Sequence, residues 1–192
     1  MKAKLLFAVF LFSGSVLFGQ SVWNLDKAHT EIQFNVKHLV ISEVGGKFKE
    51  FDGGVKSPSD DFDGSEIEFK ANVASINTDN EKRDGHLKSE DFFNAEEYPE
   101  LNFRGNLVRN GSGYILKGEM TIRDVTKPIA FETEYNGTVT DPWGNTKAGF
   151  KIKGTIDRFD YGLKWNALME AGGAVVDNEI NIVCNVELQK QV

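Results

Sequence analysis

The sequence predicts an all-β fold, and three observations carry that prediction. Apolar residues recur at every second position through most of the chain, the segments between them hold hairpin chemistry, and no long helical periodicity separates consecutive alternating runs. Alternating strands joined by tight turns pair antiparallel, because a parallel pair needs a crossover of a dozen or more residues.

In chain order, the first segment stands apart. Lys2 and Lys4 precede the apolar run "LLFAVFLF", which leads to "SGS" and then Gly19. This is the pattern of a secretory signal peptide over residues 1–19, leaving one domain over 20–192. The apolar run is too short for a bilayer core of about 30 Å, which needs about 20 apolar residues. The mature chain is therefore expected to be soluble and periplasmic or secreted, with no stable membrane insertion.

Cys184 is the only cysteine, so no disulfide is available and a single hydrophobic core must hold the exported domain together. Without Lys2 and Lys4 the chain keeps 20 basic against 29 acidic residues, a net charge of −9. That balance argues against nucleic acid and anionic surfaces as partners.

Eight segments then read as half-buried strands. "EIQFNV" sets Ile32, Phe34 and Val36 on one face, and "VGGKFKEFDGGVK" shifts its apolar phase between Phe48 and Phe51, as a bulge requires. "IEFKANV" and "LNFRGNL" carry Phe69 and Phe103 in phase; "YILKGEMTI" carries Leu116 and Met120. "IAFETEY", "AGFKIKGTI" and "INIVCNVEL" follow with Phe131, Phe150 and Ile182. "RNGSG" and "DPWGN" supply two of the hairpin turns, and Asn136-Gly137 reads as turn chemistry as well. Such a sheet hides its apolar face as a sandwich or as a closed barrel, and closure also removes the exposed edges.

Two segments break the alternation. Residues 78–98 contain "NEKRDGHLKSEDFF", with Thr78 and Glu81 spaced as a capping box at a helix start. Residues 157–173, "DRFDYGLKWNALMEAGG", read as a lid or a long crossing loop.

The chemistry-bearing residues are sparse. His29, His38 and His86 lack zinc spacing, and "SDDFDGSEIE" has Lys70 where a calcium loop needs a glutamate, so no metal and no cofactor is expected. No nucleophile elbow is present, and Cys184 lies in an inward strand phase. An enzyme reading rests only on Arg83, Asp84 and His86, which serve equally well as a salt-bridged helix cap. The inward face is more informative: Phe34, Phe48, Phe69, Phe103, Phe131 and Phe150 recur about once per strand, interspersed with Gly105, Gly118 and Gly154. Large and absent side chains alternating in this way leave either an interlocked core or a dry channel.

The ordered set "DKAHTEIQFNVKHL", "GKFKEFDGGV", "INTDNEKRDGHLKSEDFF", "YPELNFRG", "GEMTIRDVTKPIAF", "DPWGNTKAGFKIKGTIDRFDYGLKW" and "VDNEINIVCNVEL" resembles the YceI-like family of exported bacterial proteins across essentially the whole mature chain. "RDGHL" matches the family's Arg-Asp-x-His-Leu through Arg83, Asp84, His86 and Leu87, and His29 and Phe34 match a second motif with Thr30 in a serine position. Asp124 stands where the family commonly has glycine, which bears on the strand connection there.

The resemblance implies an extended eight-stranded antiparallel lipocalin-like barrel with a short helix and a long irregular loop. It implies a non-enzymatic carrier whose hydrophobic small-molecule lipid ligand, a polyprenyl or quinone tail or a fatty amide, lies inside the barrel. Phe34, Phe48, Phe69, Phe103, Leu116, Met120, Phe131, Phe150 and Ile182 would line it. Arg83, His86, Arg158 and Lys164 are the head-group candidates, and a homodimer is the assembly the resemblance suggests. The competing readings are a lipid-modifying enzyme built on Arg83, Asp84 and His86, and a structural or adhesive module presenting Trp143.

Overall fold

In a computed structural model, residues 19–167 and 175–191 are described; the signal peptide expected at 1–19 lies almost wholly outside them, as does the 168–173 part of the second irregular segment. The described chain is an eight-rung closed antiparallel barrel. Three of the eight rungs are interrupted. β1 (Ser21–Leu25) and β2 (Glu31–His38) form the first, β3 (Ser42–Phe48) and β4 (Phe51–Ser57) the second, and β5 (Glu66–Asn72) and β6 (Ile76–Asn77) the third. β7 (Glu100–Asn110), β8 (Gly113–Ile122), β9 (Val125–Thr140), β10 (Thr146–Asp157) and β11 (Val176–Lys190) complete the meander. The seam closes because β11 pairs with both halves of the first rung, Ile182 opposite Phe34 and Leu188 opposite Leu25.

The interruptions have local causes. Asp26 accepts the Ala28 amide at 3.0 Å, turning the chain between β1 and β2, and the Glu187 amide donates to the Thr30 hydroxyl at 3.1 Å. The phase shift after Phe48 is a bend at Lys49 and Glu50, stitched to the next rung through Ser75. Closure leaves short edges only, which suits a barrel that alternates polar and apolar residues along each rung.

One end of the barrel is plugged. The β4–β5 loop tucks Phe62 inside at 1 % exposure, its ring 5.0 Å from Trp23 and 5.1 Å from Phe150. Fully buried Ser57 and Ser65 fasten that loop, the Ser65 hydroxyl standing 2.8 Å from Ser57 Oγ and 2.7 Å from the Phe62 carbonyl. The Tyr114 hydroxyl donates to the Asp61 carbonyl, with the Arg109 guanidinium also held there. At the other end lie the β2–β3 turn, residues 78–99 with helix α1 (Glu81–Lys88), the β8–β9 turn and the β10–β11 connection.

Two sequence expectations are corrected. The helix begins two residues later than the Thr78 and Glu81 box proposes: Asn80 is the N-cap and accepts the Arg83 amide at 3.0 Å, while Thr78 is buried below. Asn136 and Gly137 are not a turn; they lie within β9, where the pairing with β10 shifts register between Gly149 and Phe150. In the β8–β9 hairpin the left-handed residue is Arg123 at φ 57°, not Asp124 at the family's glycine position.

The β2–β3 turn is the strangest of the tight connections. His38 pairs with Ser42, so Leu39, Val40 and Ile41 make the loop, and Leu39 and Val40 both take left-handed backbone at φ 53° and 65°. Left-handed geometry costs a residue with a Cβ about 1–2 kcal/mol, and a β-branched residue is a genuine outlier there.

Candidate functional site

Within the barrel the inward side chains enclose a cavity of about 230 Å³ whose wall is almost entirely apolar. All nine predicted lining residues, Phe34, Phe48, Phe69, Phe103, Leu116, Met120, Phe131, Phe150 and Ile182, lie on its wall. Phe62 is its floor, and Leu87, Phe92 and Phe93 reach it from the 78–98 segment.

The phenylalanines do not fill the lumen because glycines give them room against the wall. Phe34 lies opposite Gly46 in the β2–β3 ladder, where a Cβ on Gly46 would meet the Phe34 ring at 2.3 Å. A Cβ on Gly154 would stand 2.3 Å from Cδ1 of Phe131. The rings therefore press flat over bare backbone, and the axis of the barrel stays open.

The mouth is where polar chemistry gathers. Arg158 follows β10 in a 3-10 turn (Arg158–Tyr161) and is only 2 % exposed, yet it lines the cavity. Its Nε donates to the Asp177 carbonyl at 2.9 Å, Nη1 to the Leu163 and Trp165 carbonyls, and Nη2 to the Val176 carbonyl at 3.2 Å. Four of the five guanidinium N–H groups are thereby spent on backbone, and among the described residues no acceptor takes the second N–H of Nη2. Among the described residues no carboxylate pairs with it; burial lowers its pKa, while Asp157 and Asp177 act in the opposite sense. The guanidinium also lies 4.6 Å from the Phe159 ring and 6.0 Å from that of Phe92.

The other head-group candidates are placed differently. Arg83 Nε donates to the Thr78 hydroxyl and Nη2 to the Thr78 carbonyl, both at 2.7 Å. Asp84, also buried, accepts from the Thr78 amide at 2.8 Å and from its hydroxyl. Together Arg83 and Asp84 clamp the chain as it enters α1. His86 Nε2 stands 3.0 Å from Asp91, and its ring meets Phe92 and Trp165 edge-on at 5.0 and 4.8 Å. Lys164 is exposed, and the cavity wall does not include it. The geometry thus brings His86 and Arg158 to one aromatic collar and keeps Lys164 apart.

Sequence reasoning missed two residues here. Trp165 joins the collar from an irregular segment without periodicity, and Phe62 plugs the floor from within an acidic stretch that reads as a solvated turn. A lone aromatic among four acidic neighbours was the available signal for Phe62.

Among the described residues one group, Asp26, His29 and Glu187, has metal-ligand spacing. The Lys147 ammonium sits against it, in contact with Asp26 and 3.3 Å from Glu187, and supplies the positive charge an ion would bring. Lys147 chiefly, then His29, holds the Asp26 carboxyl far below its usual range against the cost of burial. Cys184 lines the cavity as a buried thiol whose pKa desolvation pushes up to about 12. No described helix is long and apolar enough to cross a membrane.

Comparison with known proteins agrees with this architecture. A UPF0312 protein of Staphylococcus aureus is 34% identical over 168 residues, covering 86% of this chain and 95% of that protein. The crystal structure of the Campylobacter jejuni YceI protein superposes with a TM-score of 0.70 at 30% identity, covering 88% of this chain and 97% of that one. A polyisoprenoid binding domain from Saccharophagus degradans, at 14% identity and a TM-score of 0.63, shares the fold over 88% of this chain and 98% of its own. The YceI-like domain profile matches residues 23–188, so the one-floored barrel and its aromatic collar are carried by a chain that belongs to the YceI-like family.

Proposed function

We propose that this protein is an exported binding protein that carries a long-chain isoprenoid-type lipid, with a polyprenyl or quinone tail, or a fatty amide, along the barrel axis. The observation that carries the reading is the cavity itself: an almost wholly apolar lumen, floored by Phe62 and reached from a mouth with a few polar groups. Lipid binding by the fold-sharing Saccharophagus domain, named for polyisoprenoid binding, supports the ligand class.

The energetics suit a tail-driven binder. Each methylene withdrawn from water contributes about 0.8 kcal/mol, so a chain of several isoprene units needs no polar contact to bind, even after the cost of its immobilisation. A cavity of about 230 Å³ lies below the roughly 300–1,000 Å³ of drug-sized pockets. A longer tail is accommodated by displacing Leu87, Phe92 and Phe93, which enter from the mouth segment and not from the barrel wall. At the collar, the remaining Nη2–H of Arg158 is the donor best placed for a head-group oxygen, with His86 behind it. Arg83 is occupied with Thr78, which favours a structural role over the lipid-modifying alternative.

The leader sequence supports a periplasmic or secreted location. Native mass spectrometry of the mature protein purified without detergent, followed by organic extraction, tests the reading. A copurified isoprenoid or fatty amide is expected. A protein that arrives empty and takes up neither geranylgeraniol nor a menaquinone overturns it.

A further inference from the structure

We propose that the β2–β3 turn is an insertion tip that docks the barrel mouth on a neutral lipid surface, so that a lipid passes between that surface and the lumen. Two observations at one place carry this. Val40 and Ile41 are 74 % and 85 % exposed, at the end of the barrel opposite the Phe62 floor. The same three-residue loop forces Leu39 and Val40 into left-handed backbone, where asparagine or glycine is the ordinary choice. The chain thus tolerates strain to hold aliphatic side chains in water, and an outlier of this kind points to a function.

The tip is coupled to the mouth. Val36, one turn of the ladder below it, lines the cavity, His38 pairs with Val176 on the cavity wall, and the Leu39 amide donates to the Val175 carbonyl at 2.9 Å. A surface that takes up Val40 and Ile41 therefore lies beside Val175 and Val176 at the start of β11.

The size and charge of the tip select its occupant. Two side chains expose on the order of 200–300 Å², against about 800 Å² per partner in a stable protein interface, so the tip is too small to hold a second copy or another protein by itself. It is suited to an apolar phase that closes around it, as the side chains of interfacial segments do. Lys37 and Glu43 pair across the base of the hairpin, leaving it without net charge, and the whole chain is acidic at −7. An anionic surface is disfavoured and a zwitterionic one is not.

The test uses delipidated mature protein and phosphatidylcholine vesicles, with the double variant Val40→Asn, Ile41→Ser. Asparagine accepts left-handed backbone, so the variant should melt at or above the wild-type temperature. The wild type is expected to co-float with vesicles independently of salt, and the variant to bind about tenfold more weakly. Uptake of vesicle-borne geranylgeraniol should slow in proportion, while uptake of the same lipid from dilute ethanol stays unchanged. Equal flotation of the two proteins overturns the proposal, as does flotation abolished by salt. It is also overturned if the substitutions dissociate a wild-type dimer in sedimentation, since the tip is then a self-contact. This inference uses the carrier reading only for the transfer step: flotation without uptake by any route upholds docking and overturns the carrier, whereas uptake without flotation does the reverse.

Discussion

At the scale of single residues, the clearest electrostatic device is the Lys147 ammonium set between Asp26 and Glu187, with Lys147 only 12 % exposed. It joins the break in the first rung to β10 and β11, so it stabilises the barrel seam. Folding lowers the Asp26 pKa far below its ordinary 3.8. The sign follows directly: the stabilisation is complete above about pH 4, where an unfolded Asp would also be ionised, and is withdrawn as the pH falls through the folded value. His29 has the opposite dependence, because Asp26 raises its pKa and its share is lost as the pH rises. Asp26→Asn is expected to lower stability at pH 7 by about 1–3 kcal/mol, since it leaves a mostly buried ammonium with Glu187 alone. The difference from wild type should shrink below pH 4 in urea titrations; a constant difference across pH would remove the pair from the account.

The elements make a different use of chemistry, through fit of ring against backbone. A Cβ at Gly154 would collide with Cδ1 of Phe131, close to the root of the ring, so the side chain cannot simply swing its tip away. Gly154→Ala is expected to cost about 1–3 kcal/mol by overpacking and to push Phe131 into the lumen. The measurement is paired: denaturant midpoint for stability, and moles of lipid bound per mole of protein for the lumen. Loss of stability with full lipid capacity would mean that the ring moves outward instead. Elements were also where the sequence was most legible. Eight rungs and their inward phase follow from period-two alternation, because a one-residue slip would bury the charged face. The bend at Lys49 and Glu50 announced itself as a phase shift between Phe48 and Phe51. What alternation could not show was the choice of Asn80 over Thr78 as N-cap. Thr78 is consumed by Arg83 and Asp84, contacts made across the helix entry rather than along a local pattern. The in-strand position of Asn136 and Gly137 was hidden for a like reason: the bulge is defined by its partner strand.

For the whole molecule, lipid binding and stability should be linked, because only the folded barrel has a lumen. A ligand at about one hundred times its Kd adds about 2.7 kcal/mol. For a domain of this size that is a rise in Tm of roughly 5–10 °C. Calorimetry of delipidated protein with and without geranylgeraniol measures it, and an unchanged Tm at saturating lipid would count against binding in the core. The site was legible in part. The lining residues could be placed because they share the inward phase of strands, whereas the collar combines His86 of α1 and Phe92 beyond it with Arg158 and Trp165 from the β10–β11 connection, which meet only through tertiary packing. Arg158 and Lys164 looked alike as neighbouring cations; folding buries the first among carbonyls and leaves the second in water.

The Phe62 floor carries one further consequence. A tube sealed at its base is filled and emptied through the same rim, so a tail that enters first leaves last, and the cargo is drawn out by its polar end. In the proposed carrier, donor and acceptor would then each meet the same face of the barrel. In a carrier of the proposed kind, handover would not run straight through the molecule; between loading and delivery the barrel would let go, turn round and present that face again.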